Sequence, residues 1–208
     1  MRRRSVKTPL KPFLVTTKDA VEYQYFLQMK KDCRYKNMIV EKVDAKDIFD
    51  LVAKTQKLKY QNRYKEAWAV CSLDQYSKKA DEIQEELSYA SARRINIAYA
   101  EPSILLYFAL HFEDVQPGST SQMLTGIIKR YIPTFEWSED YLKSQDGSKF
   151  NLTLFKDKAK AGAREGDLTR KLQLTNPNAS QINFMRFMND IAEFCGEGDI
   201  AYNQRTIS

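Results

Sequence analysis

Ala67-Trp68-Ala69-Val70-Cys71-Ser72-Leu73 is the stretch on which the fold turns. It is nearly continuous in apolar side chains and lacks the alternation of a half-exposed strand. Such a strand is covered on both faces, the habit of parallel sheets flanked by helices. Upstream, residues 12–17 form a short apolar run rich in strand formers. Residues 19–31 then bring Tyr23, Phe26, Leu27 and Lys30 back at intervals of three and four, the helical period. Thr17 is placed to cap this helix, and Asp19 and Glu22 stand in its first turns, where the dipole favours negative charge. Residues 37–43 read as a second strand, and residues 45–58 as a second helix with Ile48, Leu51 and Val52 on one face. After the central run come residues 77–94 as a third helix and residues 95–99 as a fourth strand. Residues 102–112 follow as a helix with Pro102 in its first turn, where the missing N–H costs little. Alternating strands and helices predict an α/β fold, a parallel sheet of about four strands flanked by helices.

From about residue 115 the pattern becomes mostly helical, over residues 121–131, 138–144, 150–165 and 179–194. No linker divides the halves. The expected organisation is a basic flexible arm over residues 1–11, then a single domain over residues 12–208. Its helical C-terminal extension covers about 115–208.

Of the 208 residues, 43% are hydrophobic and 29% charged, a composition of folded chains. The longest apolar run, residues 104–112, is interrupted by His111 and falls short of the roughly 20 residues of a membrane helix. The basic N-terminus is not followed by an apolar stretch of signal-peptide length, so secretion is not expected. Cys33, Cys71 and Cys195 are odd in number and widely spaced. They make neither a disulfide framework nor a zinc pattern, and a reducing cytoplasm is the expected location. The formal net charge is +6. The arm carries Arg2, Arg3, Arg4, Lys7 and Lys11 and no acid. Together with Lys54, Lys57, Lys59, Arg63 and Lys65 it offers contacts to nucleic-acid phosphates. The plainer reading of both segments is a solvated surface.

Ligands of parallel α/β sheets lie beyond the carboxyl ends of the strands. The first such turn, Thr16-Thr17-Lys18-Asp19, has no glycine, which argues against dinucleotide or P-loop binding. There is no Gly-x-Ser-x-Gly elbow, and the single histidine, His111, argues against hydrolase triads and multi-histidine metal sites. His111 reads as a structural residue near the end of an apolar helix. The acids near strand ends are Asp19, Glu22 and Asp74. Asp74 is placed for one ligand of a hard-metal site, although capping a helix that begins near Ser77 is the plainer role. Glu113 and Asp114 end a helix, where acids oppose the dipole and call for a nearby cation or exposure. The mixed charges of residues 157–170 read as a solvated helix face.

Four segments together resemble the RloB-like family, whose domain is related to Toprim. Residues 13–26 lie over the family's apolar strand and Glu-Gly-x-x-Thr-Glu-x-x-Tyr-Phe. Ala69-Val70-Cys71-Ser72-Leu73-Asp74 lies over its strand ending in Asp-x-Asp. Residues 100–112, with Pro102 and His111-Phe112, lie over Ser-Asn-Pro-x-Phe-Glu-x-Trp-x-Leu-x-His-Phe. Residues 176–182 resemble the Asn-Pro-Ser-Thr start of the last helix. Thr17 falls on the family's strand-one glutamate, Lys18 on its glycine, Ser72 on the first aspartate and Leu105 on the glutamate after Asn-Pro. In Toprim enzymes that glutamate is the acid/base and the aspartates hold magnesium. The resemblance therefore implies a catalytically degenerate protein with Glu22, Asp74 and His111 as vestiges and no cofactor. The family is associated with prokaryotic defence against phage and foreign DNA, often beside an SMC-like ATPase. Such an ATPase and nucleic acid are the implied partners, and no membrane is. Two alternatives stand beside this. One is an active nuclease whose Mg or Mn is held by Asp19, Glu22 and Asp74. The other is a structural interaction protein with no nucleic-acid role.

Overall fold

The computed structural model describes residues 12–174, 176 and 180–196, so the basic arm lies outside the described residues. The first half alternates β1 (Phe13–Thr17), α1 (Ala20–Asp32), β2 (Met38–Lys42), α2 (Ile48–Gln61), β3 (Glu66–Ser72), α3 (Gln84–Ala92) and β4 (Asn96–Ala100). The second half holds α4 (Leu105–Leu110), α5 (Ser121–Tyr131), α6 (Glu139–Lys143), α7 (Gln145–Gln173) and α8 (Phe184–Cys195). The strands make one parallel sheet in the order β2-β1-β3-β4. This is the α/β fold expected. The chain leaves β1 for one side and returns to β3 on the other, so the topological switch point lies between the carboxyl ends of β1 and β3.

Strand alternation sorts the core into two layers. Phe13, Val15, Trp68 and Val70 face Tyr25, Phe26 and Met29 of α1 together with side chains of α4, α7 and α8. Leu14, Ala67, Ala69 and Cys71 face Ile48, Leu51 and Val52 of α2 and Ala90 of α3. The run from Ala67 to Ser72 is buried throughout because both its faces are covered. The outer edge of β4 is closed by one side chain. The Asn183 amide donates to the Ile97 carbonyl and accepts from the Tyr99 N–H, each at 2.8 Å. Ile182 bridges Ala100 beside it. An open strand edge is thereby paired within the chain.

Five sequence expectations are corrected. Asp19, not Thr17, caps α1, accepting from the Val21 and Glu22 N–H groups at 2.8 and 2.9 Å. The third helix does not span 77–94. Ser77 is left-handed at φ 51°, ending a 3-10 turn over Leu73–Tyr76, and α3 starts only at Gln84. Asp74 therefore sits within that turn and caps no helix. Pro102 lies before α4 rather than in its first turn, and its carbonyl accepts from the Asp74 N–H at 2.9 Å. The charged run of α7 is not wholly solvated: Glu165 turns inward and accepts from the Met185 N–H at the start of α8 (3.1 Å).

The acids after α4 have the cations their position called for. Arg130 pairs with Glu113, and Arg164 Nε lies 3.3 Å from Asp114. Arg164 also donates to the Leu110 and His111 carbonyls at 2.8 and 2.9 Å, satisfying the end of α4. Among the described residues no helix is long and apolar enough to cross a membrane.

Candidate functional site

The switch point between β1 and β3 is occupied by Glu22. Asp19 starts α1 two residues past β1, and Glu22, in the first turn, swings back beneath the strand ends. It is 1% exposed. Thr17 at the end of β1 donates to one carboxylate oxygen, Oε2. Ser72 at the end of β3 donates to the other, Oε1. Gln75 Nε2 adds a third donor to Oε1 at 3.2 Å. Ser72 Oγ in turn accepts from the Ile104 N–H at 3.0 Å, which ties β3 to the approach to α4. The hydroxyls at 17 and 72 are thus both spent on Glu22.

Above this buried knot opens a cleft of about 340 Å³ lined by Asp19, Ser72, Asp74, Ser103, Ser121 and Trp137, among others. Ser121 Oγ reaches Asp74 Oδ2 at 3.5 Å. Lys18 brings its ammonium 4.9 Å from the centre of the Tyr76 ring. Among the described residues, no group of three or more His, Cys, Asp or Glu side chains is placed to hold a metal ion.

Burial pushes the Glu22 carboxyl up to about 7, and the charges of Asp19 and Asp74 push the same way against the donors of Ser72 and Thr17. Burial likewise raises Glu165 to about 7. His111 goes the other way. Burial lowers it to about 4. Its Nδ1 lies 2.8 Å from the Tyr107 carbonyl, its ring meets Tyr107 edge-on, and its Nε2 is buried without a partner among the described residues. It is a neutral ring at the end of α4 and does not line the cleft.

The Glu22 shift has a testable sign. Between its unfolded value near 4.5 and about 7, the folded state holds a proton that the unfolded state has released. Stability therefore falls as pH rises through that window. The shift corresponds to about 3 kcal/mol. Glu165 acts in the same direction, and His111 opposes them below its ordinary value. Comparing Glu22→Gln with the native chain isolates the Glu22 contribution. The variant is expected to gain about 3 kcal/mol on the native protein from pH 4.5 to above 7 in urea unfolding. A constant difference across that range would mean that Glu22 is not buried as an acid.

The other sequence candidates are dispersed. Lys54 donates to the Asp44 carbonyl and pairs with Asp50 at 2.8 Å, near the start of α2. Lys57 is exposed on that helix. Lys59, Arg63 and Lys65 stand at the opposite end of the sheet from Glu22, around the loop into β3. Gln75, Ser103, Ser121 and Trp137 carried no sequence signal, because only the fold brings them to the cleft.

The family model for RloB-like proteins matches residues 13–183. The chain belongs to the RloB-like family. The match takes in all four strands and the first seven helices of the RloB-like chain. No curated protein and no solved structure shows significant similarity to it.

Proposed function

We propose that this RloB-like protein is a catalytically degenerate, binding component of prokaryotic defence against phage and foreign DNA, associated with nucleic acid or with an SMC-like ATPase. One observation carries the reading: Thr17, Ser72 and Gln75 saturate Glu22 from within. A hard divalent cation needs several oxygens with free lone pairs and negative charge to balance its own. Here the two positions flanking Glu22 carry hydroxyls, and both point their protons at the carboxylate. Glu22 itself titrates near neutrality and so carries only part of a charge there. The donor set does not suit a magnesium or manganese ion, and no hydrolytic step is assigned to it.

What the pocket retains is a rigid, hydrogen-bonded floor under an open polar cleft. Such a floor positions a partner without reacting with it.

The test is a titration of the full chain with Mn²⁺ and Mg²⁺, followed by a cleavage panel of single- and double-stranded DNA and RNA. Neither saturable metal binding nor cleavage is expected. Manganese-dependent cleavage abolished by Asp74→Ala would replace this reading with a nuclease whose ligands have moved.

A further inference from the structure

The three crossover helices end alike, at the end of the sheet away from Glu22. After α1, α2 and α3 the chain places Arg34, Arg63 and Arg94 in the left-handed conformation, at φ 57°, 56° and 55°. Each is followed by the same closing bond: Tyr35 N–H to Lys30 carbonyl (3.0 Å), Tyr64 to Lys59 (2.9 Å) and Ile95 to Ala90 (3.0 Å). These are Schellman turns, and their left-handed position is ordinarily glycine, which has no Cβ to clash there. This chain puts arginine in all three. Charge complementing the helix dipole does not require that position. A cation anywhere in the last turn serves, as Lys30, Lys31 and Lys59 already do.

The register sets these turns abreast. Phe13 stands opposite Met38 and Glu66, Trp68 opposite Asn96, and the Lys65 N–H donates to the Pro12 carbonyl at 3.0 Å. Strands about 4.8 Å apart put β2 and β4 roughly 14 Å from each other. A nucleic-acid duplex carries about eight phosphates over that length, at one per 1.7 Å. Lys36, Arg63, Lys65 and Arg94 are exposed and form no ion pair with the described residues. Lys59 is held among them by a 2.6 Å bond to the Arg94 carbonyl. Burial lowers its amine, Glu66 raises it, and the charges of Lys65 and Arg94 lower it further, so these cations lie within mutual reach. A cleft of about 280 Å³ continues the surface between α3 and α8, with Arg94 and Arg186 on its walls. Acids also stand at this end: Glu66, to which Asn96 donates at 2.8 Å, and Asp32 at the end of α1, which is buried.

We propose that the amino-terminal end of the sheet is a docking surface for the phosphate backbone of duplex nucleic acid, with Arg63, Lys65 and Arg94 as its contacts. It rests on the nucleic-acid association proposed above and places it opposite the Glu22 cleft. The recognition is of charge spacing and not of base sequence.

The test uses the full chain and its Arg63→Gly/Arg94→Gly variant, with short labelled DNA and RNA duplexes across a range of salt. Glycine relieves the left-handed strain, so the melting temperature is expected to hold or rise while binding falls. Losing two phosphate contacts flattens the slope of log K against log salt by about 2, and at about 0.1 M salt weakens binding more than tenfold. Unchanged affinity and slope in the variant would overturn the surface and leave nucleic-acid association standing. No binding of the native chain to either duplex at low salt would overturn both. Neither outcome bears on the metal titration of the Glu22 site.

Discussion

Ser72→Asp is expected to destabilise the protein by about 3–5 kcal/mol at about pH 8. Ser72 Oγ lies against Glu22 Oε1 at the floor of the cleft, where both side chains are almost wholly buried. An aspartate there exchanges a donor for a second acceptor. Two carboxylates in contact and out of water cannot both ionise, so one must keep a proton at a pH where the unfolded chain holds none. The loss is therefore smaller near pH 5, where Glu22 is already protonated, and grows as pH rises. Ser72→Ala removes the same donor without adding charge and serves as the control, at about 1–3 kcal/mol. Millimolar Mn²⁺ is expected to restore part of the melting temperature of Ser72→Asp and to leave the native protein unchanged. Ligands that bind only the folded state stabilise it, and the new pair gives a cation something to bind. A Ser72→Asp protein as stable as the native one at both pH values would mean that Ser72 does not face Glu22.

That experiment addresses what the sequence alone left open. By resemblance, Thr17 and Ser72 are substitutions, acids replaced by hydroxyls. Nothing in their neighbourhood says where the hydroxyls go. Ser72 and Glu22 are separated by 50 positions, and their meeting depends on β1 and β3 being neighbours. Strand positions were legible because burial on both faces leaves a continuous apolar run. Ser121–Tyr131 was legible because its helical period is strong. The third helix was misread because a left-handed serine gives no warning in sequence, whereas glycine would have. The same blindness hid the three arginine turns, since the usual marker of a helix end is the glycine they lack. Glu165 was read as solvated because its neighbours are charged. Only the approach of α8, which offers it the Met185 N–H, turns it inward.

Phe187→Ala is expected to cost about 3–5 kcal/mol, the range for emptying a large buried aromatic site. Phe187 is fully buried, with its ring 5.1 Å from Trp68, 5.7 Å from Phe26 and 5.9 Å from Phe184, centre to centre. It also stacks over Phe13 at 6.4 Å. One side chain of the last helix thus touches β1, α1 and β3. We propose on this ground that the sheet and the C-terminal helices unfold as one cooperative unit rather than as a core with an appendage. The variant should then show a single thermal transition, lowered by roughly 10 °C for a chain of this size. Far-ultraviolet and near-ultraviolet circular dichroism should change together. An independent helical appendage would give two transitions, with only the later helices lost in the first. Cooperativity also matters for both faces of the sheet. Asn183 closes the edge of β4 just ahead of α8, and Arg186 stands on the cleft beside Arg94. If α8 came away, the strand edge and part of the basic surface would go with it. The Glu22 knot, built from β1, α1, β3 and the turn that follows β3, would open in the same transition.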